Sequence, residues 1–199
     1  MKLARTLPLM TVAGMLTIAV SVAQAGVPQA ASAAVAALNP RVGGAVMDAT
    51  RPIAVNAANA PNLTTLVSAA KSADLIATLS GPGPYTVFAP DNDAFGRLAP
   101  GMMDTLLKPA NKAALAKVLA YHVVAGTITL EDLTNRIKAG NGTATLTTVE
   151  GELITVTNPG GPLLLTDVNG NKSYIETPDV RQSNGVVHVV NGVLIPKLG

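Results

Sequence analysis

The chain has 199 residues, no cysteine, five aromatic residues, and 14 basic against 12 acidic side chains. The near balance of charge, with lysines and arginines scattered and few rings to stack on, excludes a basic stripe or aromatic platform for nucleic acid. The absence of cysteine excludes a disulfide-stapled scaffold, so stability must come from an aliphatic core rich in Ala, Val and Leu.

The first 25 residues read as a targeting segment. Lys2 and Arg5 form a basic start, Leu7 to Val22 is mostly apolar, and Ala23-Gln24-Ala25 supplies the small-residue cleavage pattern. Pro8, Thr11, Gly14 and Thr17 interrupt the apolar run, which is short for a membrane span, so no stable membrane insertion is expected after cleavage. Loss of Lys2 and Arg5 brings the mature chain close to zero net charge, and the basic isoelectric point overstates what the working protein presents. Residues 26–50 are rich in Ala and Gly and read as a linker or loosely attached lead-in.

From Arg51 to Leu198 the pattern is that of one folded domain. Asn62 to Ala70 predicts a helix with Leu63, Leu66, Val67 and Ala70 on one face and Asn62 as its cap, and Ser72 to Leu79 predicts a second. Gly81-Pro82-Gly83-Pro84 breaks the helix and delivers a strand from Tyr85; its prolines delete the amides a phosphate cradle needs. Thr86-Val87-Phe88 suits a buried strand, Pro90 stops it, and Asp91 or Asn92 caps a short helix with Asp93 in its first turn.

Asn111 to Val124 predicts the strongest helix, with Leu115, Val118, Leu119 and His122 on one stripe. A further helix runs from Leu130 to Ala139, capped by Thr129 with Asp132 three residues on and ended by Gly140 in a C′ position. After Gly140 the period changes to alternation. One hairpin joins Thr143–Val149 to Leu153–Thr157, and another joins Leu163–Val168 to Lys172–Thr177. A valine-rich run then enters from Asn184-Gly185, breaks at Asn191-Gly192, resumes at Val193-Leu194-Ile195 and stops at Pro196. Helices gathered before residue 140 and strands after it predict α+β.

Three pieces carry a family resemblance: Thr86-Val87-Phe88-Ala89-Pro90-Asp91-Asn92-Asp93-Ala94-Phe95, Tyr121-His122, and Asn184-Gly185-Val186-Val187-His188-Val189-Val190 continuing to Leu194-Ile195-Pro196. In this order and spacing they resemble the motifs of the fasciclin domain, and the whole is similar to its small exported bacterial members. The resemblance implies a compact β-sandwich or wedge with several flanking helices, no catalysis and no cofactor. It also implies a role in adhesion or matrix attachment, with a cell-surface or matrix macromolecule as partner and a periplasmic or extracellular location. The animal matrix members carry an acidic–aliphatic motif just before the last signature. The matching stretch here is Thr177-Pro178-Asp179-Val180, which makes Asp179 and Val180 the candidate interaction residues. The plainer reading of Asp179 is a turn or helix-start residue after Pro178.

The remaining chemistry-bearing residues have structural readings. His122 and His188 with Asp91 and Asp93 are the available metal donors. His122 lies on an apolar helix face, His188 lies among valines, and the two aspartates suit helix caps. Ser68, Ser72, Ser80 and Ser173 lack a nucleophile elbow, Ser32 lies in the lead-in, and Ser183 precedes a turn. Two functions follow: a non-catalytic surface-interaction module, or a periplasmic binder of a small apolar or polyol-like ligand held between helices and sheet.

Overall fold

A computed structural model describes residues 39–198, so the predicted targeting segment lies outside the described residues. The first half of the domain is helical. Helix α1 (Ile53–Asn59) starts behind Pro52, where a missing N–H costs nothing. A 3₁₀ turn at Pro61–Leu63 leads into α2 (Thr64–Ser72), so Asn62 lies inside the turn and is not the expected side-chain cap. The predicted second helix shrinks to α3 (Ile76–Leu79), because Asp74 adopts a left-handed φ of 57° and breaks the chain first.

Strand β1 (Tyr85–Pro90) follows. Asp91 then caps α4 (Asn92–Gly96), its carboxylate accepting from Ala94 N at 2.7 Å. After α5 (Met102–Leu106) and a 3₁₀ turn at Pro109–Asn111 comes α6 (Lys112–Tyr121). The helix ends before His122. Val123 and Val124, expected as its last residues, instead belong to strand β2 (Val123–Ala125), where this β-branched pair finds a pleated surface.

Helix α7 spans Leu130–Ala139 as predicted, with both halves of the capping box formed: Thr129 Oγ1 accepts from Asp132 N (3.2 Å) and Asp132 Oδ2 from Thr129 N (2.9 Å). Gly140 sits at its C-cap with an ordinary φ of −93°, and Asn141 carries the left-handed turn. Thr129→Ala removes one partner of an exposed box, and urea unfolding should show a loss of about 1 kcal/mol. An unchanged midpoint would mean the box contributes nothing.

The second half is β3 (Thr143–Thr147), β4 (Leu153–Thr157), β5 (Leu164–Thr166), β6 (Lys172–Gln182) and β7 (Gly185–Val190). Two expectations fail here. Strand β6 continues through Pro178 to Gln182, taking up the proline at a bulge where its register against β7 shifts between Thr177 and Val180. Val193–Ile195 is not a strand. All seven strands form one sheet in the order β2-β1-β7-β6-β5-β4-β3. Only β1 and β7 are parallel, and an isolated bridge between Val124 and Thr148 brings the two ends of the sheet together.

The sheet therefore bends into a wedge with two cores. Along β1, Val87 and Ala89 face one way and Phe88 the other, as the two-residue period requires. Val87, Ala89, Val187 and Val189 pack under the helices with Leu66, Leu115 and Leu119. Phe88, Tyr121, Ile154, Val156, Leu165 and Val190 fill the space between the two halves of the sheet. All six residues of β7 are buried, the pattern of a central strand covered on both faces.

Residues 39–50 belong to this body, contrary to the expected loose lead-in. Val42 and Met47 are 2% and 1% exposed and join the helical-side core. The Asn39 amide pairs with the backbone of Arg181 as a strand would, donating to its O at 2.8 Å and accepting from its N at 2.7 Å. Met47→Ala should cost about 2 kcal/mol in urea unfolding. A loss below about 0.5 kcal/mol would return the segment to a loose attachment.

Candidate functional site

The first and last signature motifs are neighbours. β1 and β7 pair in register from Tyr85–Gly185 to Pro90–Val190, so residues a hundred apart in the chain share a row. Phe88 faces His188 across this pair, their rings stacked with centroids 5.6 Å apart and planes at 23°. The Tyr121-His122 piece joins from β1's other side, where Phe88 N donates to His122 O at 2.9 Å.

His122 is 1% exposed. Its Nδ1–H donates to Val118 O at 2.8 Å and its Nε2 accepts from Leu194 N at 3.0 Å. These contacts fix a neutral tautomer, and burial pushes the imidazole down to about 4. The ring ties the end of α6 to the segment after β7. Next to it, the Tyr121 hydroxyl donates to Leu153 O (2.7 Å) and accepts from Val168 N (3.3 Å), joining the tips of both hairpins. Burial pushes that hydroxyl up to about 12.

His188 is fully buried. It accepts from Asp179 N through Nδ1 (3.2 Å) and donates through Nε2 to Ile128 O (2.8 Å). Burial again lowers its basicity. Thr86 grips the same loop, accepting from Ile128 N (2.8 Å) and donating to Gly126 O (2.7 Å). The loop leading into α7 is thus held by one residue from each signature strand.

Asp179 lies in the β6 bulge with a left-handed φ of 56°. Its Oδ1 accepts from Leu130 N at 2.8 Å, placing a carboxylate on the N-terminal end of α7. Val180 is 0% exposed. Of the two candidate interaction residues, the half-buried aspartate is a helix-terminal anchor within a strand, neither a turn nor a helix start, and the valine presents no side chain to a partner.

Asn184 is the busiest of the motif residues. Its Oδ1 accepts from Ile53 N (2.9 Å), its Nδ2 donates to Leu79 O and Gly81 O, and its backbone O accepts from Tyr85 N (3.0 Å). Beside it, a Cβ on Gly185 would lie 1.9 Å from Tyr85 O. Pro90 closes β1, Phe95 is a buried residue of α4, and Pro196 is buried after β7. Among the described residues no three His, Asp or Glu side chains converge as a metal site would require, and Asp91 is committed to its cap. No helix among them is long and apolar enough to cross a membrane.

Between α1–α3 and the helical-side face of β1 and β7, where the small-ligand reading puts its occupant, lies a cavity of about 70 Å³. Its walls come from Ala57, Leu66, Ala70, Leu79, Val87 and Val187 among others. Every one of these residues also reads as ordinary core, so no pattern distinguishes a lining residue from a packed one.

Comparison with known proteins agrees with this architecture. A family profile described as the fasciclin domain matches residues 61–196. Protein sll1483 of Synechocystis sp. is 40% identical over 154 residues, 77% of this chain and 78% of its own. The cell surface glycolipoprotein MPB83 of Mycobacterium bovis is 34% identical over 167 residues, 81% and 68% of the respective chains. Among solved structures, the FAS1 domain pair from the insect cell adhesion molecule fasciclin I matches with a TM-score of 0.64 at 19% identity. That match covers 75% of this chain and about half (51%) of the insect chain, and it concerns the fold alone. With the profile spanning the domain, and the three motifs interlocked at its centre, the chain belongs to the fasciclin domain family.

Proposed function

We propose that this protein is an exported, non-catalytic surface-interaction module that attaches the producing cell to another cell or to a matrix macromolecule. The observation that carries this reading is the inward commitment of its chemistry. The imidazoles of His122 and His188 and the carboxylates of Asp91 and Asp179 each bond protein backbone. A site built for reaction holds such groups free and convergent; here they serve as braces, and recognition falls to the loops around them.

Two further points support the reading. A relative matched over most of its length is named as a cell surface protein, and the insect protein sharing the fold is named as a cell adhesion molecule. The basic start, apolar run and Ala-Gln-Ala pattern of residues 1–25 support export. Deleting the gene should reduce attachment of the producing cells to a surface and release the protein's partner from the washed cell envelope, with both restored by the intact gene. Unchanged attachment and an unchanged envelope proteome would remove the proposal.

A further inference from the structure

Two surface hollows meet between the end of α4, helix α5 and the segment after β7. Leu98, Ala99, Met102, Val193 and Ile195 line both, so the hollows form one groove, of about 520 Å³ in its first half and about 450 Å³ in its second. The first half is aliphatic. Pro100, Leu106, Val118 and Leu198 extend its lining, Thr105 brings its one polar side chain among the described residues, and no charged residue takes part. Leu98, Met102 and Ile195 are half-buried and Leu198 is 49% exposed, so apolar surface is left open to solvent. Apolar surface open beside a polar rim marks a place of contact.

The second half is cationic. Arg97 is the C-cap of α4, and its guanidinium reaches across to the segment after β7, where one N–H donates to Asn191 O at 2.8 Å. That bond fixes the group at the polar end of the groove, because Asn191 lines this end too. A guanidinium carries five donors in a planar fork, and this is the one bond its side chain makes among the described residues. Lys172 lines the same half, and no carboxylate lines either half.

A guanidinium with donors to spare selects a carboxylate, which it grips through two parallel N–H···O bonds. The surface beside it selects what carries that carboxylate. A sugar would leave hydroxyls unpaired along the aliphatic half, which offers no aromatic ring to stack on. A long alkyl chain needs a slot that covers most of its surface, and this groove stands open. An extended peptide meets neither difficulty: its short aliphatic side chains cover Leu98, Met102 and Ile195 while its amides stay in water.

We infer that this groove is a docking site for an extended peptide segment of a partner protein, in which an acidic residue beside a short aliphatic run sets its carboxylate on Arg97. The inference rests on the surface-interaction reading and deepens it by naming the kind of segment the partner offers.

The test titrates purified protein with fluorescent nonapeptides whose leading pair is Asp-Asp, Ser-Ser or Lys-Lys and whose next four residues are Val-Leu-Val-Leu or all serine. The Asp-Asp peptide with the aliphatic run should bind best, and losing either feature should weaken binding about tenfold or more. It should shift the methyl resonances of Leu98, Met102, Val193 and Ile195. Arg97→Glu should reverse the preference, losing the Asp-Asp peptide and gaining the Lys-Lys one, which mere damage to the fold would not do. Arg97→Lys keeps the charge without the fork, so it should fold as the parent does and still bind the Asp-Asp peptide several-fold more weakly. Trigalacturonate or decanoate shifting the same methyls at lower concentration than any peptide would give the groove to a glycan or a lipid. Self-association that shifts them would give it to a second copy of the chain. Each of these outcomes, no binding by any peptide, or binding indifferent to charge would overturn the inference. Because the measurement uses purified protein, its failure removes the groove and leaves the attachment result of the gene deletion standing.

Discussion

Gly185→Ala should abolish or severely weaken folding. An alanine Cβ there would sit 1.9 Å from Tyr85 O, 2.8 Å from Tyr85 C and 2.9 Å from Tyr85 N, all of them backbone atoms of the partner strand. No side chain can swing aside to relieve this. The strand would have to move, breaking the bond from Tyr85 N to Asn184 O and disturbing the register of the central parallel pair. Overpacking against such an unyielding neighbour is expected to cost about 3 kcal/mol or more, a large share of the roughly 5–15 kcal/mol that holds a domain together. In a thermal melt this is a fall in Tm of about 6–12 °C, or a chain recovered only as aggregate. Gly170→Ala provides the contrast. Its φ is 87° but nothing lies within 4 Å of the added atom, so only local backbone strain of about 1 kcal/mol is expected. Equal losses at the two positions would show that backbone angle, rather than the approach of the two strands, makes Gly185 necessary.

Acid should destabilise this protein well above the pH at which its carboxylates titrate. His122 has an unfolded value of 6.5 and a folded value of about 4. Above pH 6.5 both states carry a neutral ring and the histidine contributes no pH dependence. Between 6.5 and about 4 the unfolded chain takes up a proton that the folded chain refuses, so stability falls as pH falls through this window and levels off below it. The interval corresponds to about 3 kcal/mol at most. His188, buried against Phe88 and also lowered, acts in the same direction. Urea midpoints measured from pH 7.5 to pH 4 should decline steadily, and His122→Gln should start lower but decline less. A flat profile between pH 7 and pH 4.5 would refute the assignment of a buried neutral imidazole.

The parts of this fold that could be read from the sequence are those whose causes are local. Helix α7 was legible to the residue because its cap and its box partner lie within one short window. For the same reason the cap of α4 was narrowed to Asp91 or Asn92, and Asp91 fills it. The failures have non-local causes. Val123 and Val124 continue the apolar pattern of α6, and only the exposed ladder of β1 turns them into a strand. Pro178 ends a strand in most settings; here β7 supplies enough pairing on both sides of a bulge to carry the chain past it. Val42 and Met47 are isolated apolar residues in an Ala/Gly-rich stretch, with no period to mark them as core. In the candidate site the histidines were legible as buried, but their partners Ile128, Asp179 and Leu194 were not, because each contact crosses between segments that share no sequence pattern.

The parallel pairing of β1 with β7 also governs when the molecule can form. Tyr85 to Pro90 cannot find its partner until Gly185 to Val190 has been synthesised, by which point nearly the whole domain exists. Closing a loop of about a hundred residues before any of that pairing is gained gives a high contact order, and folding slows accordingly. The central strand arrives last, so a growing chain stays open throughout its elongation. Slow folding of this kind leaves the apolar faces of the unpaired strands exposed for longer, an interval in which aggregation competes with closure of the sheet.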